Sequence, residues 1–170
     1  SLDHVVTNNS ISIEDAEIEL KRLLIDSVSL RMRSDVPIGS SLSGGLDSSI
    51  IVKIIDDLKY KSQKQRTFSA RFKDFIKDEG ENIELLLNNV NADSFYTWPN
   101  ADKLNNSFNE LIYHQEEPFG SASIFAQWEV MKLAKSHSAT VLLDGQGADE
   151  QLAGYPYYLD EYYRQIKKNN

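Results

Sequence analysis

Apolar residues recur along the chain at two periods, and the alternation between these periods lays out a series of helices and strands. From residue 13 to 33, Ala16, Leu20, Leu23, Leu24, Leu30 and Met32 return at helical spacing, behind Ser12 and Asp15, which read as a capping signal. Residues 36 to 42 form an apolar strand pattern, and Ile50, Ile51, Ile54, Ile55 and Leu58 give the helix after it an inner face. Between Arg66 and Phe72, Thr67, Ser69 and Arg71 alternate against aromatics and alanine, which predicts a second strand. A helix over 78–90, with Ile83, Leu86, Leu87 and Val90 inward, leads to a third strand at 94–98, closed by Pro99. Helices over 101–114 and 122–136 flank the turn from Pro118 to Ser121, and residues 139–143 predict a fourth strand. Residues 1–12 are polar and aperiodic and read as a linker, so the domain is expected over 13–170. The tyrosine-rich stretch from Tyr155 to Tyr163 shows no evident final element and suits packing against further chain.

Strands that alternate with helices pair in parallel through right-handed crossovers, so the expected class is α/β, a parallel sheet with helices on both faces. Ligands in such sheets bind beyond the carboxyl ends of the strands. Two loops lie there, one after Leu42 and one after Leu143.

Composition narrows the partners. The 170 residues suffice for one domain with a substantial core, and 18 Lys+Arg against 26 Asp+Glu leave a net charge of −8. No basic stripe interrupts that charge, which argues against nucleic acid as a partner. The absence of cysteine excludes a disulfide framework, a thiolate zinc site and a cysteine nucleophile within these residues. There is no apolar run of membrane-spanning length and no signal-like start, so a soluble, cytoplasmic protein without membrane contact is expected. The first residue is Ser1 rather than Met, as in a piece of a longer protein.

The loop after the first strand carries the chemistry. Ser41, Leu42, Ser43, Gly44, Gly45, Leu46, Asp47, Ser48 and Ser49 place small residues between a strand end and a helix start. Glycines let the backbone approach an anion, serines offer hydroxyls, and the helix's first-turn N–H groups add partial positive charge. A phosphate or pyrophosphate suits that setting. The spacing is not that of a Walker loop, because Asp47 stands near where a phosphate-binding lysine would be. An aspartate beside phosphates makes sense if Mg²⁺ lies between them. The plainer alternative is a strand-to-helix turn in which Asp47 and Ser48 are ordinary caps. After Leu143, the run Asp144, Gly145, Gln146, Gly147, Ala148, Asp149, Glu150 again takes a strand into glycines and then acids. If the two loops face each other, Asp47 and Asp149 bind one Mg²⁺ from opposite sides; otherwise Asp149 and Glu150 simply favour a helix dipole.

Ser43 to Ser49 resembles the pyrophosphate-loop signature of the N-type ATP pyrophosphatases. Together with Arg31 to Gly39 before it, and with Asp144 to Glu150 and Gly154-Tyr155 after it, it resembles the synthetase domain of glutamine-hydrolysing asparagine synthetases, over roughly residues 15–160. The segment His114 to Ser121 is also similar to the family's segment beside the acceptor and nucleotide pocket. The resemblance implies a Rossmann-like three-layer fold of the adenine nucleotide alpha hydrolase type, here truncated. It implies ATP and Mg²⁺ as cofactors, and formation of an acyl adenylate on a carboxylate, most naturally the aspartate side chain. Ammonia then displaces AMP, supplied by a glutaminase domain of the same parent chain. It assigns Ser41, Leu42, Ala70, Asp144 and Gly145 to the nucleotide along with the Ser43–Ser49 loop, Asp47 and Asp149 to the metal, and Asp149, Glu150 and Gln146 to catalysis. Many members carry Glu at the place of Gln146, and an amide orients a substrate but accepts no proton. Another adenylating synthetase with a related loop, or a silent ATP-binding module, remains an alternative. Elsewhere, His114 beside Glu116 and Glu117 reads as a solvated contact and His137 as a helix end. Trp98 and Trp128 read as packing, and the acids Asp78, Glu79 and Glu81 as residues favouring a helix dipole.

Overall fold

The computed structural model describes residues 10–73, 75–76 and 78–169, so all but the last three residues of the expected linker lie outside the described residues. Four strands, β1 (Ile38–Ser41), β2 (Gln65–Ala70), β3 (Ala92–Thr97) and β4 (Val141–Leu143), form one parallel sheet in the order β3-β2-β1-β4. Around them lie α1 (Ile13–Arg31), α2 (Leu46–Leu58), α3 (Gly80–Leu87), α4 (Ala101–Gln115), α5 (Ser123–Ser136), α6 (Ala148–Leu152) and α7 (Tyr157–Asn169). The expected α/β class, a parallel sheet between helical layers, is what the chain adopts. β1 runs between β2 and β4, so the strand order reverses beside it, and a crevice opens at the carboxyl ends of β1 and β4.

Burial explains the layers. On one face Phe68, Val130, Ala134 and Ala139 pack with Phe95, Leu133 and Leu142, which seats α5 on the sheet. On the other, Val28, Ile55 and Leu143 join Met32, Ile38, Ile51 and Ile54, and Leu42, Val52 and Ile83 join Leu86, Leu87, Val90 and Tyr96, which seats α1, α2 and α3. Phe68 is fully buried because Gly39 on the neighbouring strand has no side chain; a Cβ there would stand 2.6 Å from the Phe68 ring. Phe68 stacks on Phe95 at 5.3 Å, and His137 lies 3.9 Å from Phe95 between ring centroids, so this helix-end histidine also extends the aromatic layer. Full burial of a phenylalanine is worth about 1.5–3 kcal/mol, which makes this layer a principal anchor of α5.

Local chemistry sets the element ends. Ser12 Oγ accepts from the Asp15 N–H at 3.0 Å, the cap that the sequence signals, and Asn100 Oδ1 accepts from Lys103 N–H at 2.8 Å to start α4. α3 begins at Gly80 rather than at residue 78, because the Asp78 carboxylate is drawn to Arg71 and accepts from the Phe72 and Gly80 N–H groups instead. β3 starts at Ala92, ahead of the expected residue 94, and β4 only at Val141, because the Ala139 N–H donates back to Ala134 O. The tyrosine-rich tail does have a final element. α7 presents Leu159, Tyr162, Tyr163 and Ile166 as an exposed stripe at helical spacing, which the crowd of tyrosines hides in the sequence.

Candidate functional site

The loop between β1 and α2 holds itself together. Ser43 and Ser48 share a hydroxyl hydrogen bond of 3.0 Å, Ser48 Oγ accepts from Ser43 N–H, and Gly45 N–H donates to Ser43 Oγ at 3.2 Å. Ser49 Oγ donates to the Gly45 carbonyl at 2.7 Å. Gly45 caps α2 with no side chain, so the first N–H groups of the helix face the loop without a side-chain acceptor. Gly44 adopts φ +94°, and a Cβ on it would lie 2.7 Å from both Cβ and the carbonyl oxygen of Glu79. Only glycine fits that turn without displacing the segment before α3.

The loop after β4 meets the first one directly. A Cβ on Gly145 would stand 3.0 Å from Asp47 Cβ and from the Ser48 nitrogen, so the second loop's backbone lies against the start of α2. Asp144 Oδ1 accepts from the Gln146 N–H at 3.1 Å, and Gly147 turns with φ +92° into α6. Gly154 leaves room for the Asp149 carboxylate, into which a Cβ there would run, and its N–H donates to Asp149 O.

Between the loops lies a cleft of about 440 Å³. Ser41, Leu42, Ser43, Gly45, Asp47 and Ser48 line it from one side, Asp144, Gly145, Gln146 and Asp149 from the other, and Ala70 at the exit of β2. Gly44, Leu46 and Ser49 do not line it: Gly44 is wedged against Glu79, Leu46 is exposed, and Ser49 anchors the turn. Glu150 is likewise off the lining, its carboxylate accepting from the Tyr155 hydroxyl at 2.8 Å. That carboxylate pushes the Tyr155 phenol up to about 12. His114 to Ser121 contributes nothing to the wall; α5 does instead, through Ser123, Ala126, Gln127 and Val130.

Asp78 and Glu79, read from the sequence as dipole acids, also line the cleft, as does Phe72. The signal was available: they follow the carboxyl end of β2, on the same edge as both glycine loops. Arg71 holds the Asp78 carboxyl below the ordinary carboxylate range, chiefly by hydrogen bonding to its charged form.

The wall therefore carries the carboxylates of Asp47, Asp78, Glu79, Asp144 and Asp149 and, among the described residues, no lysine, arginine or histidine. An unaccompanied polyphosphate would be repelled there. Among the described residues no three His, Asp or Glu side chains converge as a self-sufficient metal cage. This donor set suits Mg²⁺, which commonly takes one or two carboxylates and completes its shell with substrate phosphates and water. Among the described residues no helix is long and apolar enough to cross a membrane.

Paired glycine loops at the switch point of a parallel sheet, closing on an acidic cleft, define a doubly wound α/β protein with a ligand crevice at the strand ends. Its relatives make the class specific. The asparagine synthase family profile matches residues 19–169. A putative glutamine-hydrolysing asparagine synthetase 2 of Methanocaldococcus jannaschii is 35% identical over 144 residues, covering 85% of this chain and 27% of that protein. The glutamine-hydrolysing asparagine synthetase 1 of Bacillus subtilis is 32% identical over 140 residues, covering 82% of this chain and 22% of that protein. The solved NMN synthetase of Francisella tularensis aligns with TM-score 0.41 and 14% identity over 78% of this chain and 54% of that one, too distant to bear on the site. The chain belongs to the asparagine synthase family. It spans about a quarter of the length of the curated relatives it matches.

Proposed function

We propose that this chain is the ATP-using part of an amide-forming synthetase that adenylates a carboxylate, the side chain of aspartate in the first instance, and releases pyrophosphate. The observation that carries the reading is the meeting of the Ser43–Ser49 and Asp144–Asp149 loops across one cleft, with uncapped helix N–H groups on one side and carboxylates on both.

The chain's groups divide the work by charge. Pyrophosphate gains negative charge as it leaves, so the α2 N–H groups and the Ser43 and Ser48 hydroxyls bind it more tightly in the transition state than in bound ATP. Asp47 and Asp149 would hold Mg²⁺, which would neutralise phosphate charge. Leu42 and Ala70 border the base, and Asp144 and Gly145 the ribose and α-phosphate. The α-phosphate–oxygen bond to pyrophosphate breaks as a carboxylate oxygen bonds to that phosphorus. Ammonia, delivered by glutamine hydrolysis elsewhere in the parent protein, then attacks the acyl carbon, AMP leaves with the carboxylate oxygen, and the proton that nitrogen gives up passes to water. Gln146 orients the acceptor through hydrogen bonds and takes no proton.

The test is isotope exchange in the full-length parent protein. Labelled pyrophosphate should enter ATP only when aspartate and Mg²⁺ are present. Exchange with a different carboxylate and none with aspartate would reassign the acceptor; ATP binding without any exchange would replace the enzyme with a silent nucleotide module.

A further inference from the structure

A charged hub stands just outside the cleft wall. The Arg71 guanidinium donates from Nε to Asp78 Oδ2 at 3.0 Å and Oδ1 at 3.2 Å, and Nη2 lies 2.9 Å from Oδ2. Its central carbon lies 5.5 Å from the Trp98 ring centre and 5.8 Å from that of Tyr96, and Glu84 is 3.8 Å from Nη1. Gly80 has no Cβ where the guanidinium packs; any side chain there would meet it. Arg71 therefore ties together the exit of β2, the start of α3 and the end of β3.

What the hub holds is the cleft rim. Asp78 accepts from Phe72 N–H at 2.8 Å and from Gly80 N–H at 3.3 Å, and both Phe72 and Asp78 line the cleft. Glu79, next in sequence, presses its Cβ and carbonyl against Gly44, and its Oε2 lies 3.7 Å from where a Cβ on Gly45 would be. Arg71 is not part of the cleft wall; it lines an adjoining hollow that shares Phe72, Asp78 and Glu79 with the cleft, so its hold on the cleft runs through those rim residues.

We infer that Arg71 is a positioning residue for the nucleotide: through Asp78 and Glu79 it fixes Phe72 over the cleft and holds Gly44 in its left-handed turn, so that the phosphate loop is preorganised before ATP arrives. This inference rests on the ATP reading above. Most of the contribution falls on binding, because the same rim touches ATP in the ground state and in the transition state.

In the full-length parent, MgATP affinity by titration calorimetry and pyrophosphate exchange kinetics are measured for wild type, Arg71→Ala, Arg71→Lys, Asp78→Asn and the Arg71→Ala/Asp78→Asn double variant. Arg71→Ala should raise Kd and KM for ATP about tenfold or more with kcat changed less than about threefold, the signature of lost uniform binding. Arg71→Lys should fall between, since lysine keeps the charge but not the fork. The double variant should be no weaker than the weaker single variant, because both mutations break one device. Unchanged Kd and KM in Arg71→Ala, a loss confined to kcat, or additive effects in the double variant would overturn the inference. Should Arg71→Ala not fold, Arg71→Lys and Asp78→Asn carry the same comparison. A wild-type parent that binds ATP without exchanging pyrophosphate refutes adenylation while the affinities still decide the role of Arg71; one that binds no ATP refutes both.

Discussion

Substituting Gly44 and Gly45 separately by alanine tests how the phosphate loop is built, because two adjacent glycines sit in opposite situations. Gly44 has φ +94°, a conformation that costs an L-residue roughly 1–2 kcal/mol. Its new Cβ would also lie 2.7 Å from Glu79 Cβ and from the Glu79 carbonyl, so backbone must move, at about 1–3 kcal/mol for overpacking. Together these give about 2–5 kcal/mol. Gly45 has φ −71°, and its nearest neighbour would be Ser43 Oγ at 3.3 Å, the end of a side chain that can turn. Its replacement should cost about 1 kcal/mol or less. Urea denaturation of the chain followed by the fluorescence of Trp98 and Trp128 reads the difference, and at about 1–3 kcal/mol/M a gap of about 3 kcal/mol moves the midpoint by about 1–3 M. Equal midpoints for the two variants would refute the reasoning, since they would mean that neither the turn nor the contact with Glu79 constrains the loop.

Asp47→Ala should abolish Mg²⁺-dependent ATP binding in the parent protein, measured by calorimetry with and without the metal; unchanged affinity would remove Asp47 from the metal site. Ser48→Ala deletes a buried hydroxyl that bonds Ser43 and Gly45, and should lower stability by about 1–2 kcal/mol in denaturant titration. The Tyr155 phenol should titrate near 12 by absorbance, and Glu150→Gln should return it toward its ordinary value of about 10 by removing the carboxylate that holds its proton. Because Asp78 is held below its unfolded value, its contribution to stability is complete above about pH 4 and fades as pH falls through the lowered value. Asp78→Asn should flatten stability against pH in that acid range, and an unchanged acid limb would argue against the Arg71 pair.

The helices with clear apolar periods and the strand ends bearing glycine loops were legible in the chain, because both follow from local pattern. Ser12 capped α1 as its spacing signals. The start of α3 was not legible, since Asp78 has two uses, helix dipole or partner for Arg71, and only the tertiary pairing with β2 chooses between them. Asp78 and Glu79 were left out of the expected site although they follow the carboxyl end of β2, because acids at a helix start are equally accounted for by its dipole. α7 was missed because its stripe of Leu159, Tyr162, Tyr163 and Ile166 is embedded among further tyrosines. Of the residues expected at the site, Ser43, Asp47, Gln146 and Asp149 share one cleft, whereas Glu150 turns to Tyr155, a partner five residues along that spacing alone does not single out.

Oxygen transfer from the acceptor tests adenylation most directly. The full-length parent would be run with ATP, Mg²⁺, ammonium and aspartate labelled with ¹⁸O in its side-chain carboxylate, and the phosphorus products read by mass spectrometry. Adenylation predicts one labelled oxygen in AMP and none in pyrophosphate or orthophosphate, because the carboxylate oxygen bonded to the α-phosphorus stays there when ammonia takes the acyl carbon. Label in orthophosphate, or amide formed with unlabelled AMP, would contradict it.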